Sequence, residues 1–316
     1  MGCIRGITEN SRGGIRMKVL LTGAAGQLGQ ALRQQVPAGV ELIATSRNGD
    51  GGGADGGLLP LDLADAAVCR AAVLEHRPDW VLNAGAYTAV DKAESELELA
   101  LAVNGSAPRA FAEGLLETGG RLLQVSTDFV FNGQQGSPYR PKQARDPLGA
   151  YGRTKAAGEE AVEEVLGGSG RGVILRTSWV MGPVGKNFAL TMLRLHRERQ
   201  QIGVVEDQVG CPTSTHTLAA ACWRVISAGI SEPVLHWSDA GAASWFGVAV
   251  AVGELAQELG LLEQPALVNP LTTADYPLPA QRPSYSLLDC SGTRKALGLA
   301  PTPWRQALRQ LLVTLQ

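Results

Sequence analysis

Residues Met17 to Val36 read MKVLLTGAAGQLGQALRQQV. A short apolar run passes through Gly23, Gly26 and Gly29 into a helix-favouring segment, the pattern of strand, tight turn and helix. Glycine lets backbone amides approach a phosphate closely, and a helix N-terminus adds partial positive charge there. With 39 glycines in the chain, a G-x-x-G-x-x-G spacing arises by chance about 0.6 times, so the spacing alone says little. Its place between an apolar run and a helix gives it weight. The alternative is a glycine-rich turn without a ligand.

Outward from this turn the rhythm repeats. VELIATS (40–46), PDWVLNAGA (78–86), RLLQVST (121–127) and GVILRTSW (172–179) are short apolar runs. DAAVCRAAVLEHR (65–77), LELALAVNGSAPRAFAEGLLETG (97–119) and YGRTKAAGEEAVEEVL (151–166) are helical stretches between them. Apolar runs alternating with helices predict an α/β fold, a Rossmann-type doubly wound parallel sheet. After residue 178 the rhythm loosens into FALTMLRLHRERQ, VVEDQVGCPTST, ASWFGVAVAVGELAQELG, a proline-rich loop and WRQALRQLLVTL. The expected division is a dinucleotide-binding domain over 17–178. A smaller mixed substrate region follows over 179–316, with part of that chain returning to the first domain. Residues 1–16 read as a mobile extension, and RNGDGGGADGG (47–57) as a flexible surface loop.

The 316 residues are 45% hydrophobic and 18% charged with a net charge of −2. That composition supports a sizeable core and gives no electrostatic reason for nucleic acid or an anionic membrane as partner. Cys3, Cys69, Cys211, Cys222 and Cys290 are scattered without Cys-x-x-Cys, which fits a reducing cytoplasm better than disulfides or zinc. His76, His196, His216 and His236 lack ligand spacing and read as structural. Trp223, Trp237, Trp245 and Trp304 read as packing groups. No apolar run reaches the roughly 18 residues of a membrane span. The start Met-Gly-Cys has Gly6 where N-myristoylation needs Ser or Thr, which argues against lipidation.

The second run ends in Ser46-Arg47 instead of the acid that holds a ribose 2′-hydroxyl. A hydroxyl and an arginine suit a 2′-phosphate, so NADPH is favoured over NADH; the alternative leaves Arg47 a solvated loop charge. Asp62-Leu63 is a candidate adenine contact or a helix N-cap. NAGA (83–86) places small residues where a nicotinamide ribose lies close, and VSTDFVFNG (125–133) carries adjacent hydroxyls. Tyr151 stands four residues before Lys155 on one helical face. The expectation is that the cation favours the phenolate and lowers a tyrosine pKa that is ordinarily near 10.

Glycine turn, NAG motif, Ser/Thr strand end and Tyr-x-x-x-Lys in this order resemble the extended short-chain dehydrogenase/reductase family. NAGAYTAVDKAESE, STDFVFNG, YGRTKAAGE, RTSWV, NFALTMLRL, DQVGCPT and RPSYSLLD resemble, within it, the dTDP-4-dehydrorhamnose reductases. The resemblance implies NADPH-dependent reduction of the 4-keto group of dTDP-4-dehydro-L-rhamnose. Tyr151 would be the proton donor, Lys155 its partner and holder of the ribose, and Thr127 the hydroxyl that polarises the carbonyl, with Ser126 in reserve. It implies a cofactor surface of Gly23, Gly26, Gln27, Leu28, Gly29, Ser46, Arg47, Asp62, Leu63, Ala84, Gly85, Ala86, Tyr87, Thr88, Asn104 and Val125, together with Tyr151 and Lys155. For Asn104 the alternative is plain helix structure. Thr127, Asp128 and Trp179 would flank the sugar, and Lys186, Asn187 and Arg282 would hold its diphosphate, unless they are ordinary surface residues. Some relatives bridge dimers through magnesium with an early glutamate in the first helix; Ala31 stands there, which argues against the metal but leaves a homodimer open. Thr127-Asp128-Phe129 lacks the Asp-Glu of related dehydratases, which favours simple reduction. Two other readings stand beside this one: a regulatory subunit of the methionine adenosyltransferase type, and a reductase or epimerase of another nucleotide sugar.

Overall fold

β1 (Met17–Thr22), β2 (Val40–Ser46), β3 (Leu59–Pro60), β4 (Trp80–Asn83), β5 (Arg121–Thr127), β6 (Gly172–Thr177) and β7 (Val234–His236) form one sheet. The order is β7-β6-β5-β4-β1-β2-β3 and every neighbouring pair is parallel. These strands belong to a computed structural model that describes residues 17–49 and 57–316. The expected extension 1–16 and residues 50–56 of the glycine-rich stretch lie outside the described residues.

The expected doubly wound sheet is what the chain forms, and burial explains its strand composition. Leu20, Val81, Leu122 and Ile174 pack on one face against Phe111, Leu115, Val162 and Leu166. Val19, Leu21, Leu82, Leu123 and Leu175 fill the other face with Leu28, Leu32, Leu218, Trp223 and Ile226. Strands covered on both sides have no reason to alternate apolar and polar residues. α1 (Gln27–Gln34) lies on the second face, and α2 (Ala66–His76) on the first.

One expected helix is broken. Residues 97–119 form α3 (Leu97–Leu101), a π turn over Ala102–Ser106 and α4 (Ala107–Thr118). Pro108 has no N–H to give the Asn104 carbonyl four residues earlier, so the regular ladder cannot run through. That carbonyl faces α5 (Ala150–Leu166), where a Cβ on Gly158 would lie 2.1 Å from it.

The second half builds another core. Met192 and Leu193 on α6 (Phe188–Glu198) meet Val248, Val252 and Leu255 of a long helix at Trp245–Glu258. The parallel strands Gln201–Val205 and Leu267–Leu271 and the C-terminal helix Trp304–Val313 complete it. Between these elements the chain sends α7 (Thr215–Ser227) and β7 back to the sheet, and the Trp223 indole donates to the Leu32 carbonyl at 3.0 Å. Among the described residues, no helix is long and apolar enough to cross a membrane.

Candidate active site

The strand order reverses between β1 and β4, and a cleft of about 680 Å³ opens above their carboxyl ends. Parallel sheets bind ligands at such switch points. Its floor is the glycine turn. Gly23 has φ +66, and a Cβ there would sit 2.6 Å from Gly85 Cα; one on Gly29 would sit 2.2 Å from the Gly23 carbonyl oxygen. Gly26 precedes α1, whose first turn carries no acid to oppose an anion. Bare backbone and an uncompensated helix start are what a dinucleotide pyrophosphate requires, so the residues present fit that group.

Gln27, Leu28, Ser46, Arg47, Asp62, Leu63, Ala84, Gly85, Ala86, Thr88 and Val125 line the same cleft. The Arg47 side chain is largely exposed, with its Nε 4.0 Å from Asp62 Oδ1. Asp62 is not a helix cap: its carboxylate accepts from the Ala64 amide at 3.0 Å, while Asp65 caps α2 by accepting from the Val68 amide at 3.1 Å. Two expected contributors lie elsewhere. Asn104 is buried with its amide oxygen accepting from Tyr87 N (2.9 Å) and its NH₂ donating to Tyr87 O (3.0 Å) and Thr154 Oγ1 (3.1 Å). Its side chain clamps the Tyr87 segment to the π turn and does not line the cleft. Tyr87 gives its hydroxyl to Glu96 at 2.6 Å.

Tyr151 and Lys155 lie on the cleft side of α5, one turn apart, with Ser126, Thr127 and Asp128 at the end of β5. The Lys155 ammonium donates to the Val125 carbonyl at 2.8 Å, and burial pulls its pKa down to about 8. The Tyr151 phenol departs from expectation. Burial pushes it up to about 12, the Thr127 hydroxyl acts in the opposite sense, and Asp128 adds to the rise. Burial outweighs the expected help from the ammonium, which is turned to a carbonyl while the phenol faces Thr127 and a carboxylate. Asp128 is itself pushed up to about 6 by burial, and Thr127 Oγ1 donates to its Oδ1 at 3.0 Å.

The opposite wall comes from the second half. Trp179 holds φ +45, a conformation rare for a bulky residue. Its indole stacks on Trp245 with ring centres 3.6 Å apart and planes 10° apart, and it lies over Gly210, where a Cβ would come within 2.6 Å of the ring. Trp245 therefore belongs to the cleft wall as well as to the core, which its sequence context gave no means of telling. Lys186 and Asn187 line the cleft beside α1: Asn187 caps α6 and donates to Gln27 Oε1 at 3.3 Å. Arg282 also lines it, clamped to Asp91 through two contacts of 2.8 and 3.0 Å that hold the Asp91 carboxyl below its usual range. Ala25, Leu61, Val90, Val103, Phe129, Thr177, Ser178 and Val180 complete the lining without having been singled out from sequence.

A parallel Rossmann sheet with a glycine cradle at its switch point and a Tyr/Lys pair on the rim defines an oxidoreductase of the extended short-chain dehydrogenase/reductase class. Residues 17–316 match the family described as RmlD substrate binding domain, and the chain belongs to that family. It is 42% identical over 301 residues to a dTDP-4-dehydrorhamnose reductase of Streptomyces griseus, covering 93% of each chain. The crystal structure of a dTDP-4-dehydrorhamnose reductase from Clostridium acetobutylicum is similar at TM-score 0.85 and 33% identity, over 95% of this chain and 100% of that one. The Bacillus anthracis enzyme of the same name, solved in complex with NADP, is similar at TM-score 0.83 and 30% identity, over 95% and 99%.

Proposed function

We infer that this chain reduces the 4-keto group of dTDP-4-dehydro-L-rhamnose to give dTDP-L-rhamnose, using NADPH. The observation that carries the reading is the Tyr151 phenol standing beside Thr127 in the cleft whose floor is the glycine cradle. When bound, NADPH supplies the hydride. The protein's own task is to deliver a proton to the carbonyl oxygen, and a phenol held near 12 is fully in its acid form at neutral pH. An alkoxide is a stronger base than a phenolate, so transfer from Tyr151 runs downhill. Thr127 would turn its hydroxyl from Asp128, to which it donates, to the same oxygen, while Lys155, bonded to the Val125 carbonyl one helical turn from Tyr151, would hold the ribose. Gly23, Gly26, Gly29, Ser46 and Arg47 would hold the pyrophosphate and 2′-phosphate ends of the cofactor.

A neighbouring cavity of about 1000 Å³ includes Phe188, Arg199, Tyr276 and Leu278 and shares Trp245 and Arg282 with the cleft. That supports room for a nucleoside diphosphate beyond the sugar, with Asp128 and Trp179 flanking the hexose. The division into a dinucleotide domain over 17–178 and a substrate region drawn mainly from 179–316 goes with this reading, as do a cytoplasmic location and a homodimer.

The test is NADPH absorbance in the presence of enzymatically generated dTDP-4-dehydrorhamnose, with consumption expected. No oxidation, together with firm binding to a methionine adenosyltransferase catalytic subunit, would replace the reductase with the regulatory reading. Tyr151 and Lys155, both present in the cleft, count against that outcome.

A further inference from the structure

Three polar side chains cross the middle of the sheet in one row. Thr22, Asn83 and Gln124 are register partners on β1, β4 and β5, and they are 0%, 0% and 2% exposed. Two residues back on the same face the positions are Leu20, Val81 and Leu122, all part of the apolar core. A face that needed only filling would continue with apolar residues, because every buried polar group must find partners or destabilise the fold. Here all three find them.

The bonds run in one direction. The Gly85 amide donates to Thr22 Oγ1 at 3.0 Å, and the Thr22 hydroxyl donates to Asn83 Oδ1 at 2.5 Å. Asn83 Nδ2 donates to Gln124 Oε1 at 2.7 Å, and Gln124 Nε2 donates to the Val125 carbonyl at 2.8 Å. Each amide is engaged at both ends, which dictates its orientation. The row ends on the carbonyl that receives the Lys155 ammonium at 2.8 Å, the one hydrogen-bond acceptor of that ammonium among the described residues. Its other end holds Gly85, the residue packed beneath Gly23 in the glycine turn.

We propose that Gln124 is a positioning residue for Lys155: by fixing the Val125 peptide it aims the ammonium, and through Asn83 and Thr22 it ties that aim to the backbone under the cofactor turn. The inference rests on reading the cleft as a dinucleotide site, where Lys155 holds the ribose. The charged and titratable groups around Lys155 are Tyr151 and Glu159 on its own helix and Asp128 after β5. Behind Glu159 stand Arg176 from β6 and Arg145 from the preceding loop. A Gln124 substitution alters none of them.

The experiment measures NADPH affinity by fluorescence titration across pH, with kcat and KM alongside. Gln124→Leu, near in volume and without hydrogen bonds, weakens NADPH binding about ten-fold, the size of one charge-assisted contact misplaced. It also moves the alkaline limb of the affinity profile, where Lys155 releases its proton, to lower pH. Asn83→Leu shifts the limb in the same sense, and the double variant adds little to either single one, as members of one network do. Gln124→Met, which keeps the length of the side chain, and Thr22→Val, which cuts the row at its far end, carry the same measurement should Gln124→Leu not fold. Variants with a lowered Tm but an unmoved limb and unchanged NADPH affinity would overturn the proposal and leave Gln124 a packing group. Failure of the dinucleotide reading looks different: wild-type protein then binds no NADPH at all.

Discussion

The two walls of the cleft are built by different means. The sheet wall takes Thr127, Tyr151 and Lys155 from a strand end and a helix packed on the same sheet, and burial there pushes the Tyr151 phenol up to about 12 and the Lys155 ammonium down to about 8. The facing wall takes Trp179, Trp245, Lys186 and Arg282 from loops and helix starts, and works through ring stacking and surface charge. Arg282 reaches its partner Asp91 across 191 positions of chain. On the proposed reading, one wall has groups that exchange or hold a proton and the other has groups that hold an extended polar ligand. Substitution of the proton donor on the first should therefore cost rate, and substitutions on the second affinity for the sugar nucleotide.

Tyr151→Phe gives the largest effect. Removing the proton donor is expected to lower kcat by roughly 10²–10⁴-fold, the usual worth of general acid catalysis, with NADPH affinity nearly unchanged. Steady-state assay and a separate NADPH titration check both halves. Turnover equal to wild type would strip the sheet wall of its assigned chemistry. Next comes Trp245→Ala, which removes the ring supporting Trp179. A stacked aromatic pair contributes about 0.5–1.5 kcal/mol, so KM for the sugar nucleotide should rise by roughly two- to ten-fold while kcat falls much less. A kcat loss rivalling that of Tyr151→Phe would erase the distinction between the walls.

The same contrast separates what the sequence makes legible from what it hides. The glycine turn and the Tyr-x-x-x-Lys spacing are local patterns, so the sheet wall can be written down from residues 17 to 166 before any coordinates. Trp245 could not be told from a core tryptophan, because its neighbours in the chain form an apolar helix and its exposure to the cleft is decided by Trp179. The chain's return to the sheet through α7 and β7 is hidden for a like reason: THTLAAACWRVIS looks the same whichever core it joins. Asn104 shows the opposite limit. Its motif was recognisable, but Pro108 and Thr154 decide that its side chain is used within the fold. The direction of the Tyr151 shift is decided by the burial of the phenol and then by Asp128, and no spacing rule contains either. Gln124 left no signal at all, since a lone glutamine in a strand acquires meaning only from Asn83 and Thr22 beside it.

Arg47→Ala sharpens the sheet wall's cofactor end. With its side chain largely exposed, Arg47 is worth less than a buried phosphate ligand, and the NADPH-over-NADH affinity ratio should fall by about ten-fold. Titrating both dinucleotides against the variant is the check. An unchanged ratio would hand the 2′-phosphate to another group.

The smallest effect concerns acid, and it should fall on the sheet wall's support. His236 on β7 is fully buried, with Nδ1 3.0 Å from the Tyr139 carbonyl and Nε2 3.4 Å from the Arg176 guanidinium. Burial, and then Arg176, push its pKa down to about 3 from 6.5. Between those values the unfolded chain binds more protons than the native one, so stability declines as pH falls from 6.5 toward 3, by at most about 1.4 kcal/mol per pH unit from this group. Asp128 and Asp239, both raised to about 6 from 3.8, act in the opposite sense, because the native state binds the extra protons as pH falls between those values. The wild-type loss is accordingly blunted, and the histidine's share emerges by difference. His236→Gln should lose less stability than wild type between neutral and mildly acidic urea titrations. Matching slopes in the two proteins would show that the buried imidazole, and with it the β6–β7 edge behind α5, is not where acid first loosens the fold.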